Sequence, residues 1–189
     1  MKYTVQISDS ERQTLKQFIG LPVHRVHHEH WDALTEIGEQ LVHFVPVEVA
    51  TPDETHRSAD VTRPSFSVQS ISPERSSPGL GIVSQIRIAT TFLAYTQPEW
   101  SEAYELSPGR SIPAGMAYGP VFFSAAEADR FHSRFPQSAL VQLDVAICIV
   151  TSEHRKFSVF TNGYSYNVFL ALDAEPNADW SSFITHYEP

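Results

Sequence analysis

The 189-residue sequence contains one cysteine, so the chain cannot form an internal disulfide. That residue, Cys148, lies in the apolar run ALVQLDVAICIV, where we expect it to pack as a small hydrophobic side chain. The sequence also lacks an apolar run of about 18 or more residues, and its start, MKYTVQISDSER, lacks the basic and apolar regions of a secretory signal. We therefore expect a soluble, cytoplasmic protein with no membrane partner.

Basic residues are scarce: 13 Lys and Arg stand against 22 Asp and Glu, which gives a formal net charge of −9. This balance disfavours attraction to nucleic-acid phosphates or to anionic membranes. The acidic residues are scattered rather than gathered in one run, so the charge does not imitate a nucleic acid either. A nucleic acid is therefore not the expected partner.

Motifs for two common chemistries are missing. There is no GxSxG nucleophile motif, and Gly79-Leu-Gly81 lacks the third glycine and the lysine of phosphate-binding loops. No segment recurs with a period of about 20 to 50 residues, which excludes a solenoid or a propeller.

The composition is 42% hydrophobic and 12% aromatic, enough for a sizeable core. Two capping boxes predict helices: Ser8 with Glu11, and Ser124 with Glu127. Short β-branched runs separated by polar turns predict an antiparallel meander over residues 139–172, with a hairpin turn at Asn162-Gly163. The predicted fold is a single α+β domain over residues 1–189, with a largely antiparallel sheet and two or three covering helices.

Three other segments carry weaker patterns. Residues 50–80 are rich in proline and serine and predict a long irregular loop that holds one edge strand. Residues 80–95 fit both a strand and a helix, and their β-branched content favours the strand. Trp31, Leu34, Ile37 and Leu41 form a stripe with helical spacing, which predicts a helix directly after the histidine-rich stretch HRVHHEH.

That stretch is a candidate metal site. In an extended chain, His24, His28 and His30 point to one side, and Glu36 would add a carboxylate for zinc, iron or manganese. The pair His28-Glu-His30 resembles the HxH with which cupins and several hydrolases begin a metal site. The preferred interpretation is that the histidines are the exposed approach to the following helix and hold no metal.

The segment YGPVFFSAAEADRFHSRFPQSALVQLDV, residues 118–145, resembles a strand–helix–strand segment of ADP-ribosyltransferase-like folds. The resemblance implies an enzyme that uses NAD or another nucleotide. Such enzymes usually place a carboxylate on a late strand, and in KFSVFTNGYSYNVFLALD the only acid is the terminal Asp173.

Aromatic residues are concentrated in the turn-rich stretch 95–122, namely Tyr95, Trp100, Tyr104 and Tyr118. Such side chains offer rigid contact area at low entropic cost, although loop aromatics also fold down onto a sheet. The predicted function is an accessory binding protein that engages another protein or a small molecule through these loops, without a cofactor. The alternative is an enzyme, either metal-dependent through the histidines or ADP-ribosyltransferase-like.

Overall fold

The structure is a computed structural model that describes residues 2–29, 32–50, 60–72, 79–95, 103–112, 120–136, 140–161, 167–174 and 184–187. These residues form thirteen strands and two helices. The strands are β1 (Lys2–Val5), β2 (Val23–Glu29), β3 (Asp32–Ile37), β4 (Gln40–Ala50), β5 (Asp60–Ser70), β6 (Val83–Tyr95), β7 (Tyr104–Ser107), β8 (Arg110–Ile112), β9 (Pro120–Phe123), β10 (Leu140–Thr151), β11 (Lys156–Phe160), β12 (Phe169–Leu172) and β13 (Ile184–Tyr187). The helices are α1 (Asp9–Gln17) and α2 (Ala125–Arg134).

The larger sheet has seven strands and is built on β10 and β6. Its central order is β12-β11-β10-β6-β13, while β1 pairs with β10 and β9 pairs with β6. All of these pairs are antiparallel except β1 with β10. A bulge interrupts β10 between Asp144 and Ala146, at the point where its neighbour on one side changes from β1 to β11.

The smaller sheet has the order β2-β3-β4-β5 and is antiparallel throughout. A separate β7–β8 hairpin lies beside α2. The inner face of the smaller sheet carries Ala33, Ile37, Val42 and Phe44, which are buried in one cluster with Ile86 and other residues of the larger sheet. The main core therefore lies between the two sheets.

Both helices begin at the predicted capping boxes. The hydroxyls of Ser8 and Ser124 accept from the backbone N–H of Glu11 and Glu127, and each glutamate accepts from the backbone N–H of its cap residue. From α1, Leu15 enters the main core, while α2 buries Ala128 and Phe131 in a smaller cluster beside Phe123. The part of the chain that the structure describes is thus mostly β, with two helices. None of its helices has the length and apolar character needed to span a membrane.

The prediction of a helix over Trp31, Leu34, Ile37 and Leu41 is wrong for Leu34, Ile37 and Leu41, which lie on strands, and Trp31 is outside the described residues. Gly38, at a φ of 59°, forms the two-residue turn between β3 and β4, so the chain reverses where a helix would continue. The strand buries Ala33, Thr35 and Ile37 and turns Leu34 outward. The Thr35 hydroxyl is satisfied because it donates to the carbonyl oxygen of Arg25 at 2.8 Å, which makes threonine acceptable on the inner face.

The remaining segment predictions have mixed outcomes. Residues 80–95 contain the strand β6, as the β-branched content predicts. Inside the predicted loop 50–80, β5 is the outermost strand of the smaller sheet as described. Strands β10, β11 and β12 pair antiparallel in chain order within the range of the predicted meander, whereas the Asn162-Gly163 turn lies outside the described residues.

Candidate functional site

The outer face of the smaller sheet is the face that points away from the core, and strand register decides which side chains it carries. Arg25 on β2 pairs with Glu36 on β3, and Glu36 pairs with Leu41 on β4. His27 is opposite Leu34 in the same way. Because side chains alternate along a strand and the odd-numbered residues of β3 are buried, all five of these side chains lie on the outer face.

These five residues, together with Thr35 of β3, line a cavity of about 140 Å³. Leu34 and Leu41 supply apolar area, and Arg25 and Glu36 supply a cation and an anion at facing positions. Neither of these two charged groups forms an ion pair with another side chain in the described ranges. The cavity therefore has both charges available to a ligand.

A histidine–carboxylate pair lies on the same face. The Nε2 atom of His43 is 2.8 Å from a carboxylate oxygen of Asp32, and both side chains are more than a third exposed. His43 is directly opposite Leu34, so this pair borders the cavity. Exposed pairs of this kind add little to stability, and their groups exchange partners readily with solvent.

Of the candidate metal ligands, the structure describes His24, His28 and Glu36, and it does not bring these three together. A register shift between Val23 and Arg25 places His24 at a bulge of β2. His28 lies on the opposite face from Glu36, and its Nε2 donates to the carbonyl oxygen of Val168 at 3.0 Å. His30 is outside the described residues. Among the residues that are described, no three His, Cys, Asp or Glu side chains form a group that could hold a metal ion.

Of the four aromatic candidates, Tyr104 has a defined packing role. Its ring contacts Phe131 and Phe135 of α2 edge-on, with ring centroids 5.9 Å and 5.3 Å apart. Tyr104 therefore holds the β7–β8 hairpin against α2. Tyr95 ends β6 with its backbone opposite Pro120, while Trp100 and Tyr118 lie outside the described residues.

The segment that resembles ADP-ribosyltransferase-like folds forms the expected strand–helix–strand unit, β9–α2–β10. Two carboxylates are candidates for catalysis, Glu127 in this segment and the late acid Asp173, and both already accept hydrogen bonds within the chain. Glu127 is buried, caps α2 and accepts from the Ser107 hydroxyl at 2.8 Å. The late acid Asp173 is exposed and accepts from Arg155 through both oxygens. Both carboxylates are therefore occupied by hydrogen bonds within the protein, and neither is positioned as a catalytic group.

Asp144 is another buried carboxylate, and it joins α1 to the larger sheet. It is 0% exposed and accepts from the Ile7 backbone N–H at 2.9 Å, the Arg12 guanidinium at 2.8 Å and the Thr90 hydroxyl at 2.8 Å. Burial raises the pKa of Asp144, although these donors and the charge of Arg63 oppose the rise. All three donors belong to the protein itself, so the role of this carboxylate is to stabilise the fold.

Glu11 forms the neighbouring part of the same region. Besides capping α1, it binds the Arg63 guanidinium of β5 through both oxygens at 3.0 Å and accepts from the Ser65 hydroxyl. Burial tends to raise its pKa, but the hydrogen bonds from Arg63, Ser65 and Ser8 prevail and lower it from 4.5 to about 2. We call Glu11, Arg12, Arg63 and Asp144 the junction network, because they tie α1 to both sheets.

Sequence reasoning did not select Arg25, His27, Leu34 and Leu41 as site residues. The available signal was Gly38, which lies inside the apolar stripe and is typical of a tight turn between two strands. Once 32–37 is read as a strand, Leu34 and Glu36 fall on one face.

Comparisons with known proteins add no relative: no family model, curated protein or solved structure matches the chain.

Proposed function

We propose that the protein is a binding protein whose ligand occupies the cavity on the outer face of the smaller sheet. The observation that carries the proposal is the pairing of Arg25 with Glu36 across β2 and β3, above the apolar side chains of Leu34 and Leu41. Ligand sites commonly combine apolar area with a few convergent polar groups that set orientation.

The size and charge of the cavity define the class of ligand. Its 140 Å³ is well below the roughly 300–1,000 Å³ of sites for drug-sized molecules. A ligand of this size with an anionic group for Arg25 and a cationic group for Glu36 is a small zwitterion of the size of a free amino acid. Charged hydrogen bonds to both groups would fix its orientation, and the leucines would contact its aliphatic part.

A thermal-shift panel of free amino acids and small carboxylates tests this proposal. A ligand at about 100 times its Kd adds about 2.7 kcal/mol, which for a chain of this length raises the melting temperature by about 5–10 °C. We expect a shift for at least one zwitterion with the native protein, and its loss in Arg25→Ala and Glu36→Gln. Arg155→Ala is the matched control, because Arg155 is an exposed arginine in the turn between β10 and β11.

Two outcomes would contradict the proposal. In one, no compound of the panel changes the melting temperature. In the other, the same shift persists in Arg25→Ala and Glu36→Gln, which would place the ligand elsewhere.

The aromatic stretch is a second candidate surface, suited to a protein partner. Because Tyr95 pairs with Pro120, the segments that follow β6 and precede β9 start from one end of the larger sheet. Trp100 and Tyr118 are the aromatic residues of those segments. Aromatic anchors supply much of the binding energy at protein interfaces.

The corresponding test compares Trp100→Ala with Tyr104→Ala. If Trp100 is an interface anchor, its removal leaves the melting temperature nearly unchanged and weakens partner binding by about 2 kcal/mol or more. Tyr104→Ala instead lowers the melting temperature, because Tyr104 packs on Phe131 and Phe135. A strongly destabilised Trp100→Ala would identify Trp100 as a core residue and remove this surface.

A further inference from the structure

Strand β5 pairs with β4 along one side, and the alternation of its backbone groups determines which N–H and C=O groups face the other side. The backbone N–H of Ile71 donates to the carbonyl oxygen of Glu39 at 3.0 Å, directly beyond the Gln40–Ser70 pair. In an antiparallel ladder the hydrogen-bonded and non-hydrogen-bonded pairs alternate. The even-numbered residues of β5, from Thr62 to Ser70, therefore direct their backbone N–H and C=O away from β4.

The first half of this edge is blocked. The carbonyl oxygen of Thr62 accepts from the Thr161 hydroxyl at 2.9 Å, which independently confirms the direction of the even-numbered groups. Pro64 has no backbone N–H. It pairs with Pro46, which is possible because residues at this pair position form no hydrogen bond between β4 and β5. Strand addition at Thr62 and Pro64 is thereby prevented.

In the second half of the edge, no strand of the described residues pairs with β5 on the side away from β4. Ser67, Val68, Gln69 and Ser70 are all exposed, and Val68, at 39%, is one of the exposed large hydrophobic residues of the described chain. No charged residue occurs from Ser65 to Ser72. The other outer strand of the same sheet, β2, carries Arg25, His27, His28 and Glu29 in its sequence. Charged side chains protect a sheet edge from pairing, and this half of the β5 edge lacks them.

We propose that this segment is a self-association site at which β5 pairs antiparallel with β5 of a second copy of the chain. With the two-fold axis at Val68, Val68 is opposite Val68 of the second copy and Phe66 is opposite Ser70. Phe66, Val68 and Ser70 direct their backbone N–H and C=O groups away from β4. Each of these N–H groups can therefore donate to a carbonyl oxygen of the other copy. The resulting contact is isologous and joins the two smaller sheets into one.

The charge of the chain makes this contact dependent on salt. Each copy carries a formal charge of −9, so two copies repel one another at low ionic strength, whereas the paired segments themselves carry no charge. Screening removes the long-range repulsion and leaves the backbone hydrogen bonds in place. We therefore expect a weak dimer that strengthens as salt is added.

Sedimentation velocity of the full chain over a concentration series, at low and at high salt, tests the proposal. We expect a monomer–dimer equilibrium in the native protein. Val68→Pro removes an outward N–H, as Pro64 already does, and should remain monomeric without loss of a bond to β4. Val68→Lys places like charges opposite each other and should have the same effect. Val68→Thr keeps the N–H and is the matched control that still dimerises.

Hydrogen exchange locates the contact if a variant fails to fold. In the native protein, the amides of Phe66, Val68 and Ser70 should exchange more slowly as the concentration rises, while other exposed amides do not change. A protein that stays monomeric at about 1 mM in high salt overturns the proposal. So does a dimer that survives both Val68→Pro and Val68→Lys, or one without protection at these amides.

Discussion

The junction network and the outer face of the smaller sheet both contain ionisable side chains, but these side chains are bonded differently in the two regions. In the junction network, Asp144 is fully buried and Glu11 and Arg63 are each 13% exposed, and every carboxylate is bonded to a guanidinium. On the outer face, Arg25 and Glu36 are at facing positions and form no ion pair within the described residues.

This difference separates charges that hold the fold from charges that are available to a ligand. A buried charge is tolerated only when its bonding capacity is filled by the protein, and its loss leaves neighbours unsatisfied. An exposed charge is satisfied by water and contributes little to folding. The two regions therefore predict opposite results for substitutions: large effects on stability in the first and small effects in the second.

The largest effect is expected for Asp144→Ala. The substitution leaves the Ile7 N–H and the Thr90 hydroxyl without an acceptor and Arg12 without its carboxylate, so the free energy of unfolding should fall by about 3 kcal/mol. Urea denaturation measures the change. Asp173→Asn is the control, because Asp173 is exposed and asparagine also tolerates its φ of 52°, so this substitution should change stability little. Equal effects of the two substitutions would contradict the structural role of Asp144.

A smaller effect is expected for Glu11→Gln, about 2 kcal/mol at neutral pH, since the charge that binds Arg63 is lost. The folded pKa of Glu11 is about 2, below its ordinary value of 4.5. Its contribution is therefore complete above pH 4.5 and disappears as the pH falls from 4.5 toward 2. In a pH series of unfolding curves, the difference between native and variant protein should narrow over that interval. A difference that is constant from neutral pH to pH 2 would refute the pKa.

Ser124→Ala removes the cap of α2 and should cost about 1 kcal/mol. The hydroxyl accepts from the Glu127 backbone N–H at 3.0 Å, and Glu127 itself remains bonded to Ser107. A thermal melt compares this variant with Ser133→Ala, whose hydroxyl lies on the exposed side of α2 and only donates to the Asp129 carbonyl oxygen. If the two variants melt together, the cap does not define the start of the helix.

A small effect is expected for the double variant His28→Ala with His30→Ala, which should lose less than about 1 kcal/mol of stability. The purified protein should also carry no stoichiometric metal, and a chelator should leave its melting temperature unchanged. Metal analysis of native and variant protein provides the measurement. Near-stoichiometric zinc, iron or manganese that disappears in the variant would make the histidines a metal site after all.

Local signals in the sequence predicted the local parts of the fold. Each capping box spans three residues, so Ser8 and Ser124 identify the two helix starts without knowledge of the rest of the chain. The stripe Trp31, Leu34, Ile37 and Leu41 failed because its spacing fits a helix while Gly38 sets a turn within it. A short apolar pattern cannot distinguish a helix from a strand when the glycine within it is ignored.

The candidate site depended on information that is not local. Arg25 and Glu36 meet only because a bulge at His24 sets the register of β2 on β3. Arg12 and Asp144 are 132 positions apart, and the sequence around either residue does not indicate that the two form an ion pair. Residue types identified possible charges, but only strand pairing decided which of them are buried and bonded.

The central claim, that the charges of the outer face serve binding rather than folding, is tested most directly by a calorimetric titration. The zwitterion with the largest thermal shift is titrated into the native protein, Arg25→Ala, Glu36→Gln and the double variant, and the unfolding free energy of each is measured in urea. The account predicts that each single substitution weakens binding at least about tenfold, or 1.4 kcal/mol, while stability changes by less than about 0.5 kcal/mol. Unaltered affinity in these variants, or a loss of stability like that of Asp144→Ala, would contradict it.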